Sequence, residues 1–174
     1  MKYKQKVDFT IAIFLTFIAV LALFLPAAGF TNVRYVDTVI FIVYTTLNLI
    51  RFILLRETKD FEGLHYAVIS FIFLIASIFI DDSKPIHLAF VIFGWTSLMS
   101  LAKLKKADYY HDRRDRMWRF AIADLVIFLV TGIIASINLT YSSSVQILVI
   151  GFFMLINGIL EIMDPLIKHL IARN

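Results

Sequence analysis

Six runs of apolar residues follow one another along this chain, each close to the length of a membrane span and each closed off by a short polar stretch. They cover about 8–28, 36–55, 63–80, 86–103, 117–137 and 145–163. A hydrocarbon core about 30 Å thick needs roughly 20 apolar residues in helical form. Backbone groups in lipid must bond within their own segment, which predicts helices rather than open strands. Many of these residues are β-branched or aromatic and would favour strands in water, but run length and the lack of strict alternation override that preference. The pattern predicts an all-α integral membrane protein with six transmembrane helices in a single membrane domain. The connections at 29–35, 81–85 and 138–144 fall on one side, and those at 56–62 and 104–116 on the other. Connections this short predict antiparallel neighbours, hence three hairpins.

Composition agrees with this picture. Of 174 residues, 60% are hydrophobic and 17 are Phe, above the 45–50% apolar share of an ordinary soluble domain. Mean hydropathy is +0.85. No cysteine is present, which excludes a disulfide framework, a thiolate metal site and a cysteine nucleophile.

Charge then gives an orientation. Lys2, Lys4 and Lys6, then Arg51, Arg56 and Lys59, then Lys103, Lys105, Lys106, Arg113, Arg114, Arg116 and Arg119, and finally Lys168 and Arg173 all fall on one side, leaving Arg34 and Lys84 for the other. Cytoplasmic loops are enriched in Lys and Arg, so both termini are expected in the cytoplasm. A signal peptide ending near Ala27 or Gly29 is the alternative for the first run, but its apolar core is longer than usual for one. The sequon Asn138-Leu139-Thr140 falls on the outer side and reads as chance.

Polar residues at membrane depth are the candidates for function. Asn157, Glu161 and Asp164 are spaced to share one helix face, with Gly158 beside them and Gly151 two turns away. Small residues of this kind mark close helix contact. At a rise of 1.5 Å per residue, Asn157 and Glu161 lie about 18 and 24 Å along the sixth run from Val145, level with Asn48 and Arg51 on the second. Asp124 lies about 8–10 Å into the fifth run by the same measure. Asn48, Arg51, Asp124, Asn157 and Glu161 are therefore expected to converge near the cytoplasmic side, with Arg51 pairing to Glu161 or Asp124, and Asp164-Pro165 marking the exit into water. As a structural clamp, the cluster neutralises its own charges or lets the long side chains reach the headgroups. As a working site, it forms a vestibule for a small solute or a proton, with Asp124 as the carrier.

The stretch KLKKADYYHDRRDRMWR reads as a basic loop over 104–116, where Lys103, Lys105, Lys106, Arg113, Arg114, Arg116 and Arg119 contact anionic lipid at around 1 kcal/mol each. Tyr109, Tyr110 and Trp118 would anchor at headgroup level. Asp108, His111, Asp112 and Asp115 on the same stretch resemble a weak metal set, outweighed by the surrounding positive charge. Charge alone would also suit nucleic acid, but the segment abuts the membrane, so lipid is the expected partner and nucleic acid is not. His65, His87, His111 and His169 fit no catalytic or metal motif, so no cofactor and no enzyme activity are expected.

The even-numbered runs resemble one another. In IVYTTLNLIRF, FGWTSLMSLAKL and IGFFMLINGILEI, Asn48, Ser100 and Asn157 fall in register, as do Leu47, Met99 and Ile156; Arg51, Lys103 and Leu160 follow three steps later. Among the odd runs, FLIAS at 73–77 resembles FLVTG at 128–132, and Pro26 and Pro85 follow the first and third runs. This predicts a two-helix unit used three times.

Six spans in so short a chain, a proline after the first span, and the element Gly151…Leu155-Ile156-Asn157-Gly158-Ile159…Glu161 resemble the HdeD-like acid-resistance membrane proteins of bacteria. Met99-Ser100-Leu101 and the charged 103–116 stretch depart from that pattern. The resemblance implies an inner-membrane protein linked to membrane or acid stress, and it brings no catalytic residue. The competing expectation is a small transporter or channel subunit. Six short helices leave little room for a wide pathway, so transport would favour a homo-oligomer.

Overall fold

A computed structural model describes residues 2–58, 61–79, 84–139 and 143–171. Lys59, Arg173, residues 81–83 and Thr140 of the sequon lie outside them. The described residues form six α-helices: α1 Tyr3–Phe24, α2 Val33–Leu55, α3 Glu62–Phe79, α4 Pro85–Asp112, α5 Met117–Asn138 and α6 Ser143–Ile171, with a 3-10 turn at Arg56–Thr58. All six are long and apolar enough to cross a membrane. They mark a multi-pass membrane protein.

Local chemistry sets several of the ends. The side chain of Asn32 accepts a hydrogen bond from the Tyr35 backbone N–H at 3.2 Å and so caps α2. Pro85 opens α4, where its missing N–H costs nothing. The α4–α5 turn reverses at Arg114, whose φ of +51° is left-handed. There the Arg114 and Asp115 N–H groups reach back to the carbonyls of His111 and Tyr110 at 2.9 Å.

Two boundaries differ from expectation. The 104–116 stretch is not a loop: α4 continues to Asp112, leaving only 113–116 as the turn. Lys, Leu and Ala are good helix formers, and losing lipid contact does not end a helix. The buried face confirms the continuity, since Ile92, Trp95, Thr96, Met99, Lys103 and Ala107 recur at helical spacing. Likewise α6 runs through Asp164-Pro165 to Ile171, with both residues buried. At 28 and 29 residues, α4 and α6 are each about 42–43 Å long and overreach the hydrocarbon core at one end. That end, where α1 begins and α6 finishes, is called the basic end below.

The helices close a ring in chain order, α6 returning against α1, and α2 also touches α6. The closest partners are α1 with α6, α2 with α3, and α4 with α5. The successive pairs α1/α2, α3/α4 and α5/α6 of the three expected hairpins also touch, less extensively. A glycine sits at each close contact. A Cβ on Gly63 would come 2.8 Å from the Asn48 carbonyl oxygen, one on Gly132 2.3 Å from Thr96 Cγ2, and one on Gly158 2.5 Å from Thr16 Oγ1. Without a Cβ the backbones approach closely, which is how helices associate where lipid offers no hydrophobic drive.

The packing is inverted relative to a soluble domain. Large apolar side chains such as Phe14, Phe17, Ile53, Phe71, Phe90, Val126, Ile134 and Phe152 face outward along the helices. Polar groups such as Asp37, Asn48, Ser70, Ser77 and Asn157 are buried. Mid-bundle, Trp95 is fully buried and meets the rings of Phe41, Tyr44, Phe128 and Phe153 edge-on at centroid distances of 5.3–5.8 Å. Its indole N–H donates to Ser70 Oγ at 3.0 Å. These rings fill the middle of the bundle and separate the basic end from the Asp37–Ser77 hydrogen bond on the other side.

Candidate functional site: a buried ionic chain at the basic end

The odd helices carry acids near their starts, and the even helices carry bases near their ends. Antiparallel packing brings the two sets together at one level. Arg51 lies on the buried stripe of α2 with Ile40, Tyr44, Asn48 and Leu55. Its Nε donates to Asp8 Oδ1 of α1 at 2.8 Å, and its Nη2 to Glu62 Oε2 of α3 at 3.1 Å. Glu62 Oε1 accepts from Lys106 of α4 at 2.7 Å and from the Tyr66 hydroxyl at 3.1 Å. Lys106 also pairs with Asp164 of α6 at 3.4 Å, and Lys168 closes on Asp164 at 2.5 Å. The signs alternate along this chain from Asp8 to Lys168. None of its side chains is more than 15% exposed.

A separate pair brings in the remaining helix. Lys103 Nζ of α4 lies 2.9 Å from both carboxylate oxygens of Asp124 on α5, and 5.0 Å from the centroid of the Phe128 ring. The two side chains are 3% and 8% exposed. Through α4, which holds both Lys103 and Lys106, ion pairs join all six helices at this end.

The structure brings the five candidate residues to the same region but pairs them differently from expectation. Arg51 does not hold Glu161 or Asp124. The short α2–α3 connection places Glu62 beside it, and α1 supplies Asp8. Asp124 is held by Lys103 through both carboxylate oxygens. Glu161 lies deeper than the expected level, because α6 continues ten residues past it. There it meets Tyr44, two turns further into α2 than Arg51. The Tyr44 hydroxyl donates to Glu161 Oε1 at 2.6 Å, and Asn157 Nδ2 lies 3.3 Å from the same oxygen. Asn48 donates to the Tyr44 carbonyl at 2.9 Å. Asp164 is no exit into water, since it is an inner link of the ionic chain.

The lipid-contact set divides in the same way. Lys105, Arg113, Arg114, Arg116 and Arg119 are exposed. Lys103 and Lys106 are not available to lipid headgroups, because their ammonium groups are committed to acids inside the bundle. Arg113 stacks 4.2 Å from the centroid of the Tyr109 ring, and Lys168 lies 5.4 Å from that of Tyr110, across the α4 and α6 extensions. Asp108, His111 and Asp112 stand exposed, and the Asp115 side chain caps the next helix by accepting from Met117 N–H at 2.9 Å. No group of three potential metal ligands occurs among the described residues.

Asp8 and Glu62 were absent from the sequence candidates because each stands at the margin of its apolar run. Their legible signal is the counterpart of the positive-side bias: acids at odd-helix starts facing bases at even-helix ends. The ionic chain and Glu161 border a cavity of about 20 Å³, lined by Asp8, Glu62, Lys106, Asp124, Glu161 and Asp164 together with Arg51 and Lys103. That is room for about one water molecule. Set against known family models, curated proteins and solved structures, the chain matches none.

Proposed function

We propose that this chain is a non-enzymatic inner-membrane protein with both termini in the cytoplasm, built from three two-helix units, that acts in tolerance of membrane or acid stress. The observation that carries the reading is the ionic chain with the separate Lys103–Asp124 pair, which together spend charged groups of all six helices on one another. Breaking a buried pair by removing one partner costs about 3–5 kcal/mol, so such a chain holds the helix ends in one arrangement. The excess of Lys and Arg at that end supports its assignment to the cytoplasm. The stress assignment rests on the resemblance to HdeD-like proteins. The exposed Lys105, Arg113, Arg114, Arg116 and Arg119 suit contact with anionic headgroups.

A transporter or channel subunit is the second reading, favoured by the polar cavity. It ranks below the first because the cavity accepts little more than one water, and the rings around Trp95 fill the bundle beyond it.

The test is survival of an acid-sensitive bacterial strain expressing the chain through an acid challenge. Expression of the wild type raises survival, while Arg51→Met, at matched membrane abundance, gives less protection. Equal survival with and without the wild-type chain overturns the stress assignment. Proton or solute flux through reconstituted liposomes would move the conclusion to the second reading.

A further inference from the structure

The end of the bundle opposite the basic end also buries an acid, and that acid belongs to no ion pair described above. Asp37 lies four residues into α2, about 6 Å from its start. Asp37 and Ser77 of α3 are both 0% exposed. The Ser77 hydroxyl donates to Asp37 Oδ2, while the buried Oδ1 has no hydrogen-bond partner. Arg34, one turn earlier on α2, directs its Nη2 to the Ile78 carbonyl of α3 rather than to Asp37. Both contacts join α2 to α3 at this end.

The surrounding elements bring Asp37 no compensating charge. None of the ion pairs among the described residues includes it. Lys84 stands exposed ahead of α4, and His87 lies partly exposed in the first turn of that helix. Among titratable residues, α1 carries none after Asp8, α3 none after Tyr66, α5 none after Asp124 and α6 none before Glu161. On α2 itself Tyr35 is exposed, and Tyr44, two turns inward, donates to Glu161. Asp81, Asp82 and Tyr141 lie outside the described residues. The α2 dipole gives limited help, because its effect falls off beyond the first turn and Asp37 is the fifth residue. An ionised carboxylate offers about four acceptor positions, and this one meets a single neutral donor. A buried carboxyl without a compensating charge neutralises instead. The neutral acid needs no base, and a hydroxyl accepts as readily as it donates, so the Ser77 contact serves that form too.

We propose that Asp37 is a proton-binding site, in which the fold holds the side chain as the neutral acid hydrogen-bonded to Ser77, and that loss of this proton loosens α2 from α3 at the end opposite the ionic chain. The ligand is the proton itself, and the inference stands apart from the stress reading.

The first test is infrared absorption of the purified chain in detergent at about pH 6, roughly two units above the ordinary value of an aspartate side chain. Wild type shows the C=O stretch of a neutral carboxylic acid. The band is absent from Asp37→Asn and displaced in frequency in Ser77→Ala, which removes its hydrogen bond. The wild type and Ser77→Ala carry this readout even if Asp37→Asn fails to fold. The second test is thermal unfolding against pH. Asn keeps the size of the neutral acid and cannot ionise. Wild type must hold a proton that its unfolded chain releases, so it loses stability relative to Asp37→Asn as pH rises. The Tm of Asp37→Asn therefore gains on wild type above about pH 5, by about 3–5 °C per pH unit for as long as folded Asp37 keeps its proton. Absence of a neutral-acid band in wild type overturns the proposal, as does a band that persists in Asp37→Asn or stays in place in Ser77→Ala. A Tm difference that does not change with pH, or that moves in favour of wild type as pH rises, overturns it as well.

Discussion

Lys103–Asp124 allows a clean measurement of what an ion pair contributes here, because it is a single contact outside the longer chain. Replacing Asp124 with Asn leaves the Lys103 ammonium, 3% exposed, with a neutral partner. Replacing Lys103 with Met strands the carboxylate instead. Each single change removes a contact in which one ammonium meets both carboxylate oxygens at 2.9 Å. Removing one partner of a buried pair costs about 3–5 kcal/mol, most of it the penalty of the charge left behind. The double variant Lys103→Met with Asp124→Leu buries no charge and should recover most of that loss, so the changes couple by at least 2 kcal/mol. The assay is thermal unfolding in detergent, followed by far-UV circular dichroism and by loss of the monodisperse peak on size exclusion. At about 2–4 °C per kcal/mol for a chain of this length, each single variant melts about 6–20 °C below wild type, and the double variant melts well above either. Additive losses would refute the reasoning, since they would mean the two groups do not compensate one another. A loss under 1 kcal/mol in Asp124→Asn would show the carboxylate to be solvated rather than paired.

Three further outcomes follow from local geometry. Gly63→Ala places a Cβ 2.8 Å from the Asn48 carbonyl oxygen and 3.0 Å from the Phe52 nitrogen, both backbone atoms that cannot turn aside, so α2 and α3 must separate at a cost of about 1–3 kcal/mol, read as a lower Tm. Arg114→Gly relieves a left-handed φ of +51° and is expected to stabilise by about 0.5–1 kcal/mol, raising Tm by a few degrees; a lower Tm would show that the Arg114 side chain matters more than its backbone. Trp95→Ala empties the space between four rings and is expected to cost about 3–5 kcal/mol in the same assay.

The spans were legible because hydropathy measures transfer into lipid, the property that places them. The ends of α4 and α6 were not, for the same reason. At Lys103 and again at Asp164 the chain becomes polar and hydropathy reports an exit. The helices continue because the polar residues there face each other rather than lipid. A stripe reading would have followed them further: Trp95, Met99, Lys103 and Ala107 keep the spacing of one face across the point where mean hydropathy falls. Arg51 and Asp124 were legible as buried charges, but their partners were not. Pairing depends on axial offsets between helices that packing sets. One or two turns of offset moved Glu161 from Arg51 to Tyr44.

The helix dipoles explain why these pairs form at this end and why Glu161 stands apart. Glu62 is the first residue of α3, Asp8 lies in the second turn of α1, and Asp124 lies two turns into α5, all towards the positive ends of their helices. Arg51 and Lys106 lie within two turns of the negative ends of α2 and α4, and Lys168 lies in the last turn of α6. Every one of these charges has the sign its helix end favours, with the largest benefit in the terminal turn, so the clamp and the helices support one another. Two acids break the pattern, Asp164 and Glu161, both towards the negative end of α6. Asp164 is compensated twice, by Lys106 and Lys168. Glu161 is compensated by no ion pair among the described residues, yet it occupies the inner wall of the cavity with a hydroxyl and an amide as its only donors. A structural acid in that place would be expected to have a base opposite it, as its neighbour does. Glu161 is held instead by two neutral donors, the Tyr44 hydroxyl from α2 and the Asn157 amide one turn before it, at a depth no Lys or Arg of the ionic chain reaches with a hydrogen bond.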